Sequence, residues 1–277
     1  MARETLDPML AKVRRYDDTT PPKRLLRKWD HEEITAGESP LHLLRHRKSE
    51  SRCRVLLYFH GGGYMVGPAR MHWAAMAELA RDGRADLAMS IYPKSPEHDH
   101  QATIAAAVAA YGTVVERYGA ENVVVGGDSA GGGLTASLLT VLRDRETAQP
   151  HAALLISPWF DLSMSDPASQ AQSKSDLILP IGGLVEAGRY YAGDLDLTDP
   201  LVSPRFASTA GLAPMHIFVG TEEVFFADCL GFAHKAQANG DHVTLRVLAR
   251  GQHVAAIFPT PEGKIARAQM LALIDWP

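Results

Sequence analysis

Cysteine is scarce in this sequence, and two other features are missing altogether. Two cysteines in 277 residues, neither of them in a C-x-x-C or Cys/His metal spacing, exclude a disulfide framework. No apolar run approaches the roughly 18 residues that a membrane helix needs. The N-terminus, MARETLDPML, has acidic residues early and no apolar h-region, so no secretory signal is visible. We therefore expect a cytoplasmic protein without a membrane span.

A basic excess is also lacking. The chain carries 28 Lys and Arg against 32 Asp and Glu, a formal net charge of −4. No surplus of positive charge is available to neutralise a phosphate backbone, so nucleic acid is not an expected partner. Apolar residues make up 46% and charged residues 22%, which are globular values and exclude wholesale disorder or a fibre. The composition is that of a mixed α/β globule.

The charges that are present are concentrated at the N-terminus. The first 50 residues hold 11 Lys and Arg and 9 Asp and Glu, a third of all charged residues. One interpretation is a solvated helix face. The other is an amphipathic flap that covers part of the main body with its apolar side, which consists of Leu6, Met9, Leu10 and Val13.

After residue 50, short β-rich runs alternate with helical stretches. The runs are continuously apolar, which is typical of strands buried on both faces, and the alternation predicts a mostly parallel sheet. Ligands of such sheets bind at the carboxyl ends of the strands. Strands are predicted over residues 54–59, 87–92, 123–126, 152–157, 215–219 and 243–248, and helices near residues 70–82, 100–118, 130–145, 227–239 and 263–275.

A G-x-S-x-G pattern follows the third of these strands. It spans Gly127 to Gly131 with Ser129 at its centre, and a helical run comes next. The flanking glycines would let the helix pass close to the strand, and the helix N-terminus favours a developing negative charge. A glycine-rich loop with an incidental serine is the alternative. The place of the pattern between a strand and a helix favours Ser129 as a nucleophile.

Three glycines follow the first strong strand, in the run His60-Gly61-Gly62-Gly63-Tyr64. A phosphate cradle is disfavoured, because no Lys-Ser/Thr follows and no acidic residue ends the next strand. Beside a G-x-S-x-G element the run indicates an oxyanion hole, and the predicted donors are the N–H groups of Gly61, Gly62 and Ala130. The imidazole of His60 is interpreted as a loop brace. The two motifs also contain the residues that we assign to substrate binding, Tyr64 and Asp128.

These motifs together resemble those of the hormone-sensitive-lipase-like esterases, the bacterial family IV branch of the α/β-hydrolases. HGGG precedes GDSAGG by about 70 residues. Residues 92–98 (YPKSPEH) are similar to the family's Y-R-L-A-P-E-H segment, with Lys94 and Ser95 as departures. Residues 157–163 (SPWFDLS) resemble its S-P-W-x-D-L-S run, and residues 199–204 (DPLVSP) match D-P-x-x-S-P. The resemblance covers about residues 50–275.

The resemblance implies an α/β-hydrolase fold, a mostly parallel central sheet flanked by helices, with a small N-terminal helical cap. We assign the cap to residues 1–48, with help from residues 175–200, and the catalytic domain to residues 49–277. No cofactor and no metal is expected, since residues 98–100 (HDH) lack a fourth ligand. The implied partner is a small-molecule ester, and a homodimer through a sheet edge, as in relatives, is left open.

A serine hydroxyl is a poor nucleophile until a base takes its proton, and the base needs a third group to orient it. In this fold the order along the chain is serine, acid, histidine, with the acid after the penultimate strand and the histidine after the last. His253 follows the last predicted strand, behind a glycine, and is the predicted base. Alignment with the family's D-P-L-x-D-E segment favours Glu223 as the acid, and Asp228 and Glu222 stay open as alternatives.

We therefore predict a serine carboxylesterase, and the resemblance implies short-to-medium-chain acyl substrates. One alternative is an amide or arylacetamide deacylase, which the triad cannot separate from an esterase because the acyl-enzyme is the same. The other is a non-catalytic small-molecule receptor on the same fold, which predicts the loss of a triad member.

Overall fold

A computed structural model describes residues 8–48 and 53–276. Its central element is a sheet in the order β1-β2-β4-β3-β5-β6-β7-β8. These strands are β1 (Trp29–Ala36), β2 (Ser39–His46), β3 (Val55–Phe59), β4 (Asp86–Ser90), β5 (Val123–Asp128), β6 (Ala152–Ile156), β7 (Met215–Gly220) and β8 (Val243–Leu248).

Helices connect the strands and cover the sheet. None of the helices in the described residues is both long and apolar enough to cross a membrane. The α-helices are α1 (Pro8–Arg14), α2 (Lys23–Leu26), α3 (Arg70–Asp82), α4 (His100–Tyr118), α5 (Ala130–Asp144), α6 (Pro167–Gln172), α7 (Ile181–Ala192), α8 (Phe226–Ala238) and α9 (Pro261–Ile274), and short 3₁₀ turns span Ala120–Asn122, Pro204–Phe206 and Ala255–Ile257.

Strand β3 shows why the central strands are continuously apolar. All five of its residues are buried, and alternate side chains enter two different core clusters, one on each face of the sheet. Its two neighbours, β4 and β5, both run parallel to it. Such a strand needs apolar residues on both sides, because helices cover both faces. The predicted α/β class with a mostly parallel sheet is confirmed.

Strands β1 and β2 correct the predicted division of the chain at residue 48. They form an antiparallel hairpin, and β2 pairs antiparallel with β4, so residues 29–46 belong to the main sheet. Strand β1 is an edge strand in which only Trp29 and Ala36 are buried. Its charged, solvated residues therefore resembled a separate surface segment. Only residues 8–28 of the described chain precede the sheet.

Residues 8–28 contact the body through both polar and apolar groups. Leu25 and Leu26 pack on one core cluster, and the guanidinium of Arg14 donates through Nε to the carbonyl oxygen of Met65 at 2.7 Å. Of the predicted apolar side, Leu6 and the side chain of Met9 lie outside the described residues, Leu10 is half-buried and Val13 is 42% exposed.

Candidate active site

Ser129 stands in the tight turn between β5 and α5. Its backbone has φ 52° and ψ −121°, a conformation that is strained for any residue with a side chain. The surroundings hold it there: its N–H donates to the carbonyl of Ile156 at 2.9 Å, and its own carbonyl accepts from the N–H groups of Gly133 and Trp159 at 3.1 and 3.0 Å. The turn is therefore fixed by three neighbouring elements before any ligand binds.

Glycine is required on both sides of this turn. A Cβ atom at Gly131 would collide with the carbonyl oxygen of Phe59, and one at Gly127 would collide with the carbonyl oxygen of Gly131. Backbone atoms cannot yield as a flexible side chain could, so any larger residue would push α5 away from β3 and β5. The spacing of the G-x-S-x-G pattern follows from this close approach.

The carboxylate of Glu223 and the imidazole of His253 form a buried pair. His253 Nδ1 lies 2.7 Å from Glu223 Oε2, and the Glu223 side chain is fully buried. Because a carboxylate oxygen accepts the hydrogen bond, Nδ1 carries the proton and Nε2 keeps a free lone pair. Among the residues that the structure describes, the hydroxyl of Ser129 has no hydrogen-bond partner. A base with a free lone pair and a serine with a free hydroxyl thus both follow parallel strands of one sheet.

The second oxygen of Glu223 is also engaged. Its Oε1 accepts from the N–H of Gly220 at 2.6 Å and from the hydroxyl of Ser157 at 2.7 Å. Both donors stand at the carboxyl ends of strands, Gly220 as the last residue of β7 and Ser157 just after β6. The carboxylate is therefore held through both oxygens.

The two alternative acids are not in contact with His253. Asp228 lies in the first turn of α8, where its buried carboxylate pairs with Arg205 and accepts from Ser169 Oγ at 3.2 Å. Burial raises the pKa of Asp228 to about 7, although the charge of Arg205 opposes the rise. The N–H of Glu222 donates to the carbonyl of Gly251 at 3.0 Å, and its carboxylate lies 3.5 Å from Thr221 Oγ1. Only Glu223 reaches the histidine.

The predicted role of Gly61 as an oxyanion donor needs correction. Its N–H donates to Asp128 Oδ1 at 2.9 Å and is therefore already used. The N–H groups of Gly62 and Gly63 have no acceptor in the described part of the chain, and both residues have positive φ, 120° and 61°. Ala130 is the first residue of α5, where the N–H points out of the helix without an intrahelical partner. The available donors are those of Gly62, Gly63 and Ala130.

Asp128 braces this loop, although it was assigned to substrate binding. Besides Gly61, it accepts hydrogen bonds from Tyr58 Oη at 2.8 Å and from His72 Nε2 at 3.2 Å, and it is buried. Burial by itself would raise the pKa of Asp128, but His72 and the donors from Tyr58 and Gly61 bring it below the ordinary value. Its side chain is fully occupied by the protein, so it has no open face for a ligand.

Tyr64 is likewise a packing residue. Its ring is 1% exposed and stacks on Tyr191 of α7, with the ring centroids 3.5 Å apart and the planes 4° from parallel. The prediction that it contacts substrate was drawn from its place in the motif. The structure instead uses the ring to join the glycine loop to α7.

His60 has the properties of a neutral brace. It is fully buried, its ring stacks on Tyr92 with centroids 4.3 Å apart, and its Nδ1 donates to the carbonyl of Gly61 at 2.7 Å. Burial lowers the pKa of His60 to about 3. An imidazole that stays neutral near pH 7 and is shielded on all sides supports the loop and takes no proton from solvent.

The segment of residues 170–181 borders the acid and the base. The N–H of Val224 donates to Asp176 Oδ2 at 2.9 Å, next to Glu223. The N–H of Leu177 donates to Gln252 Oε1 at 2.9 Å, next to His253. Leu177 and Ile178 themselves are 84% and 50% exposed. The first part of the predicted cap segment, residues 175–200, therefore lies beside Glu223 and His253, and its role as a cover stays a prediction.

Two residues at the site have no role that the sequence predicts. The HGGG spacing carries no signal that separates Gly63 from Gly61, because the choice depends on which N–H group Asp128 accepts from. Ser157 belongs to the S-P-W-x-D-L-S run, which supports the resemblance and assigns the residue no role. A polar residue at the carboxyl end of a strand that is otherwise apolar (AALLI) was the available signal.

Comparison with known proteins agrees with this geometry. The chain matches the alpha/beta hydrolase fold family over residues 56–257. An acetyl-hydrolase of Streptomyces hygroscopicus is 32% identical over 222 residues, which are 80% of this chain and 74% of that protein. The family match over residues 56–257 includes the glycine loop, the turn at Ser129 and the segments that carry Glu223 and His253.

Solved structures of esterases are similar along nearly the entire chain. The crystal structure of EstE5 soaked with p-nitrophenyl butyrate has a TM-score of 0.88 and 29% identity, and covers 99% of this chain and 93% of its own. A hormone-sensitive lipase from a metagenome library has a TM-score of 0.86 and 26% identity, with coverages of 99% and 92%. The likeness therefore extends to both sheet edges.

Proposed function

This chain belongs to the alpha/beta hydrolase fold family, in its hormone-sensitive-lipase-like branch, and is a carboxylic ester hydrolase; from that premise we propose that Ser129, His253 and Glu223 are its catalytic triad. The observation that carries the proposal is the buried 2.7 Å contact between His253 Nδ1 and Glu223 Oε2. It fixes the imidazole in the tautomer that can accept the serine proton.

The reaction follows from these positions. His253 Nε2 takes the proton of Ser129 Oγ as this oxygen attacks the ester carbonyl, and Glu223 stabilises the imidazolium that forms. His253 then gives the proton to the leaving alcohol. Water attacks the acyl-enzyme by the same steps in reverse and releases the carboxylic acid. No group beyond the three side chains and the oxyanion donors takes part in this scheme.

The negative oxygen of the tetrahedral intermediate would be bound by the N–H groups of Gly62, Gly63 and Ala130. These donors are fixed before substrate arrives, so they need no reorganisation as charge develops. The N-terminal end of α5 adds its partial positive charge at the same point. Removing one such donor typically costs about 100- to 1000-fold in kcat.

Short-to-medium acyl chains are the proposed substrates. The acetyl-hydrolase among the relatives is named for a two-carbon acyl group, and EstE5 was soaked with a butyryl ester. A panel of p-nitrophenyl acetate, butyrate, octanoate and palmitate tests this. We expect the highest kcat/KM between acetate and octanoate. A preference for palmitate would contradict the proposed chain length and leave the triad untouched.

The nucleophile is tested on the same panel with Ser129→Ala. Without the attacking oxygen, kcat should fall by about four to six orders of magnitude, with Thr140→Ala, a hydroxyl deletion in the middle of α5, as the control. Ester hydrolysis that survives in Ser129→Ala at the wild-type rate would end the serine-hydrolase mechanism.

The acid is tested by comparing Glu223→Gln with Asp228→Asn. An amide at position 223 cannot hold the productive tautomer of His253, so we expect kcat to drop by about two to four orders of magnitude. Asp228→Asn alters the buried pair with Arg205 and should lower thermal stability, while kcat per folded molecule stays near wild type. A large loss of kcat in Asp228→Asn together with a near-wild-type kcat in Glu223→Gln would assign the role of the acid to Asp228.

A further inference from the structure

We propose that Ser157 is a positioning residue that holds the acid and the loop of the base in register through one hydroxyl group. The inference rests on the proposed triad and adds a residue to which no role has been given. Ser157 does not contact the reacting atoms, so it would act only through Glu223 and His253.

The hydroxyl of Ser157 makes two hydrogen bonds that meet at one oxygen atom. Oγ donates to Glu223 Oε1 at 2.7 Å and accepts from the N–H of Val254 at 3.0 Å. Val254 is the residue directly after His253. The same atom therefore connects the carboxylate of the acid to the backbone that carries the base. Ser157 is 1% exposed, so water does not compete for these bonds.

A glutamate needs this second anchor because its side chain has one more rotatable bond than that of aspartate. The N–H of Gly220 and the hydroxyl of Ser157 both donate to Oε1, at 2.6 and 2.7 Å. Because two donors at the ends of two different strands hold Oε1, the orientation of the carboxylate plane is fixed. Oε2 is thereby directed at His253 Nδ1.

The backbone at Ser157 gives an independent reason to assign it a role. Its φ is 45°, in the left-handed region where glycine is the unstrained residue. Its N–H donates to the carbonyl of Phe218 at 2.7 Å, which holds the chain in that conformation. A residue with a Cβ at such a position carries a strain that glycine would relieve. The hydroxyl is what glycine would lack.

Val254 shows the other end of the same arrangement. Its φ is 53°, so the chain turns sharply directly after the base, and β-branched residues are rare in this conformation. In this turn the N–H of Val254 points at Ser157 Oγ and donates a hydrogen bond to it. Loss of the hydroxyl should let both the carboxylate and this turn move.

The test uses Ser157→Ala and Ser157→Gly, with Ser169→Ala as the matched control. Ser169 also places a buried hydroxyl on a buried carboxylate, that of Asp228, away from the triad. For both Ser157 variants we expect kcat on p-nitrophenyl butyrate to fall about 10- to 100-fold, with KM within about threefold of wild type. Ser157→Gly should keep the wild-type Tm, because glycine fits the left-handed backbone. Ser169→Ala should lower Tm and leave kcat unchanged.

A double-mutant cycle with Glu223→Ala separates positioning from general destabilisation. If Ser157 acts through the acid, the double variant Ser157→Ala/Glu223→Ala should have a kcat within about threefold of that of Glu223→Ala alone. A wild-type kcat in Ser157→Gly, or full additivity in the cycle, would overturn the proposal. A wild-type kcat in Glu223→Ala would instead overturn the triad itself, so the two failures are distinguishable.

Discussion

Asp128 is the residue on which the glycine loop rests. It directly precedes the nucleophile, and its side chain points away from Ser129 to hold Gly61 by the backbone N–H. The proposed oxyanion donors Gly62 and Gly63 are therefore held in position relative to Ser129, the proposed nucleophile, by the residue next to it. Because one hydrogen bond joins Gly61 to Asp128, a displacement of the glycine loop should also displace the turn at Ser129, and the reverse.

The ionisation of Asp128 should stabilise the fold in a defined pH range. Its folded-state pKa lies below the ordinary 3.8, so its contribution is fully present above that pH and is lost as pH falls through the lower, folded-state value. We expect Asp128→Asn to reduce the free energy of unfolding by about 2 kcal/mol at pH 7, because the amide replaces an acceptor that faces His72.

Urea unfolding of wild type and Asp128→Asn at pH 7, 5 and 3.5 measures this difference. Burial alone would lower the pKa of His72, but Asp128 raises it above the ordinary value. The difference should therefore widen between pH 7 and 5, as His72 becomes charged beside Asp128, and should narrow at pH 3.5. Asp194→Asn, at an exposed position, serves as the control and should change stability by no more than about 0.5 kcal/mol. A gap that stays constant down to pH 3.5 would show that the charge of Asp128 is not what stabilises the loop.

Some individual site residues could be predicted from the sequence and others could not. Ser129 and His253 are marked by their places after particular strands, which the apolar pattern reveals. The choice between Gly61 and Gly63 depends on the direction of one carboxylate, and the choice between Glu223 and Asp228 depends on which loop faces the last strand. Local spacing encodes neither choice. The first depends on the contact of Gly61 with Asp128, which are 67 residues apart, and the second on the contact of Asp228 with Ser169 of α6.

At the scale of elements, the strands of the parallel part of the sheet are predicted from the sequence, and the N-terminal hairpin is not. The six strands from β3 to β8 agree with their predicted positions to within two residues. Strand β1 is an edge strand, which needs apolar residues at few of its positions. Strand β2 has a buried middle, residues 41–44, but this short apolar run lies within the charged N-terminal stretch. Gly37, with φ 62°, stands in the two-residue turn between them.

The segment of residues 8–28 is fastened to the glycine loop and to the YPKSPEH segment by charges. Arg14 pairs with Glu97 at 2.6 Å, and Asp17 pairs with Lys94 at 3.2 Å. Lys94 departs from the family motif, and here it has a partner on the N-terminal segment. We propose that residues 8–28 act as the cap, and that the pair of Lys94 with Asp17 helps to hold them in place.

Replacing Lys94 with the leucine of the family motif should loosen the cap without unfolding the protein. The pair is only partly exposed, so its loss is worth about 1 kcal/mol, and we expect KM to rise about two- to fivefold, most for the longer acyl esters. Asp30→Asn, which breaks the exposed pair with Arg47 on the hairpin, is the control and should leave KM unchanged. Unchanged KM values for Lys94→Leu across the panel would argue against a cap in these residues.

At the scale of the molecule, the site is assembled from loops after β3, β5, β6, β7 and β8. Loss of any of these five strands would therefore displace a part of the proposed triad or of the proposed oxyanion donors. The tryptophans report on both faces, since Trp29 and Trp73 lie in one core cluster and Trp159 in the other. Activity and fluorescence should therefore follow the same cooperative transition.

This is checked by urea titration with esterase activity and tryptophan fluorescence measured on the same samples. The two midpoints should agree to within about 0.3 M for a transition with an ordinary slope. If activity disappears at a clearly lower urea concentration than fluorescence, the catalytic loops melt separately from the sheet.

The backbone of Ser129 has a consequence for how such a protein can be improved. Its left-handed conformation costs about 1–2 kcal/mol, which glycine at the same position would not incur. Replacing the proposed nucleophile with glycine should therefore make the folded chain more stable. Laboratory selection for heat resistance alone would reward the dead variant. Only a screen that scores turnover and survival in the same clone can keep the serine in place.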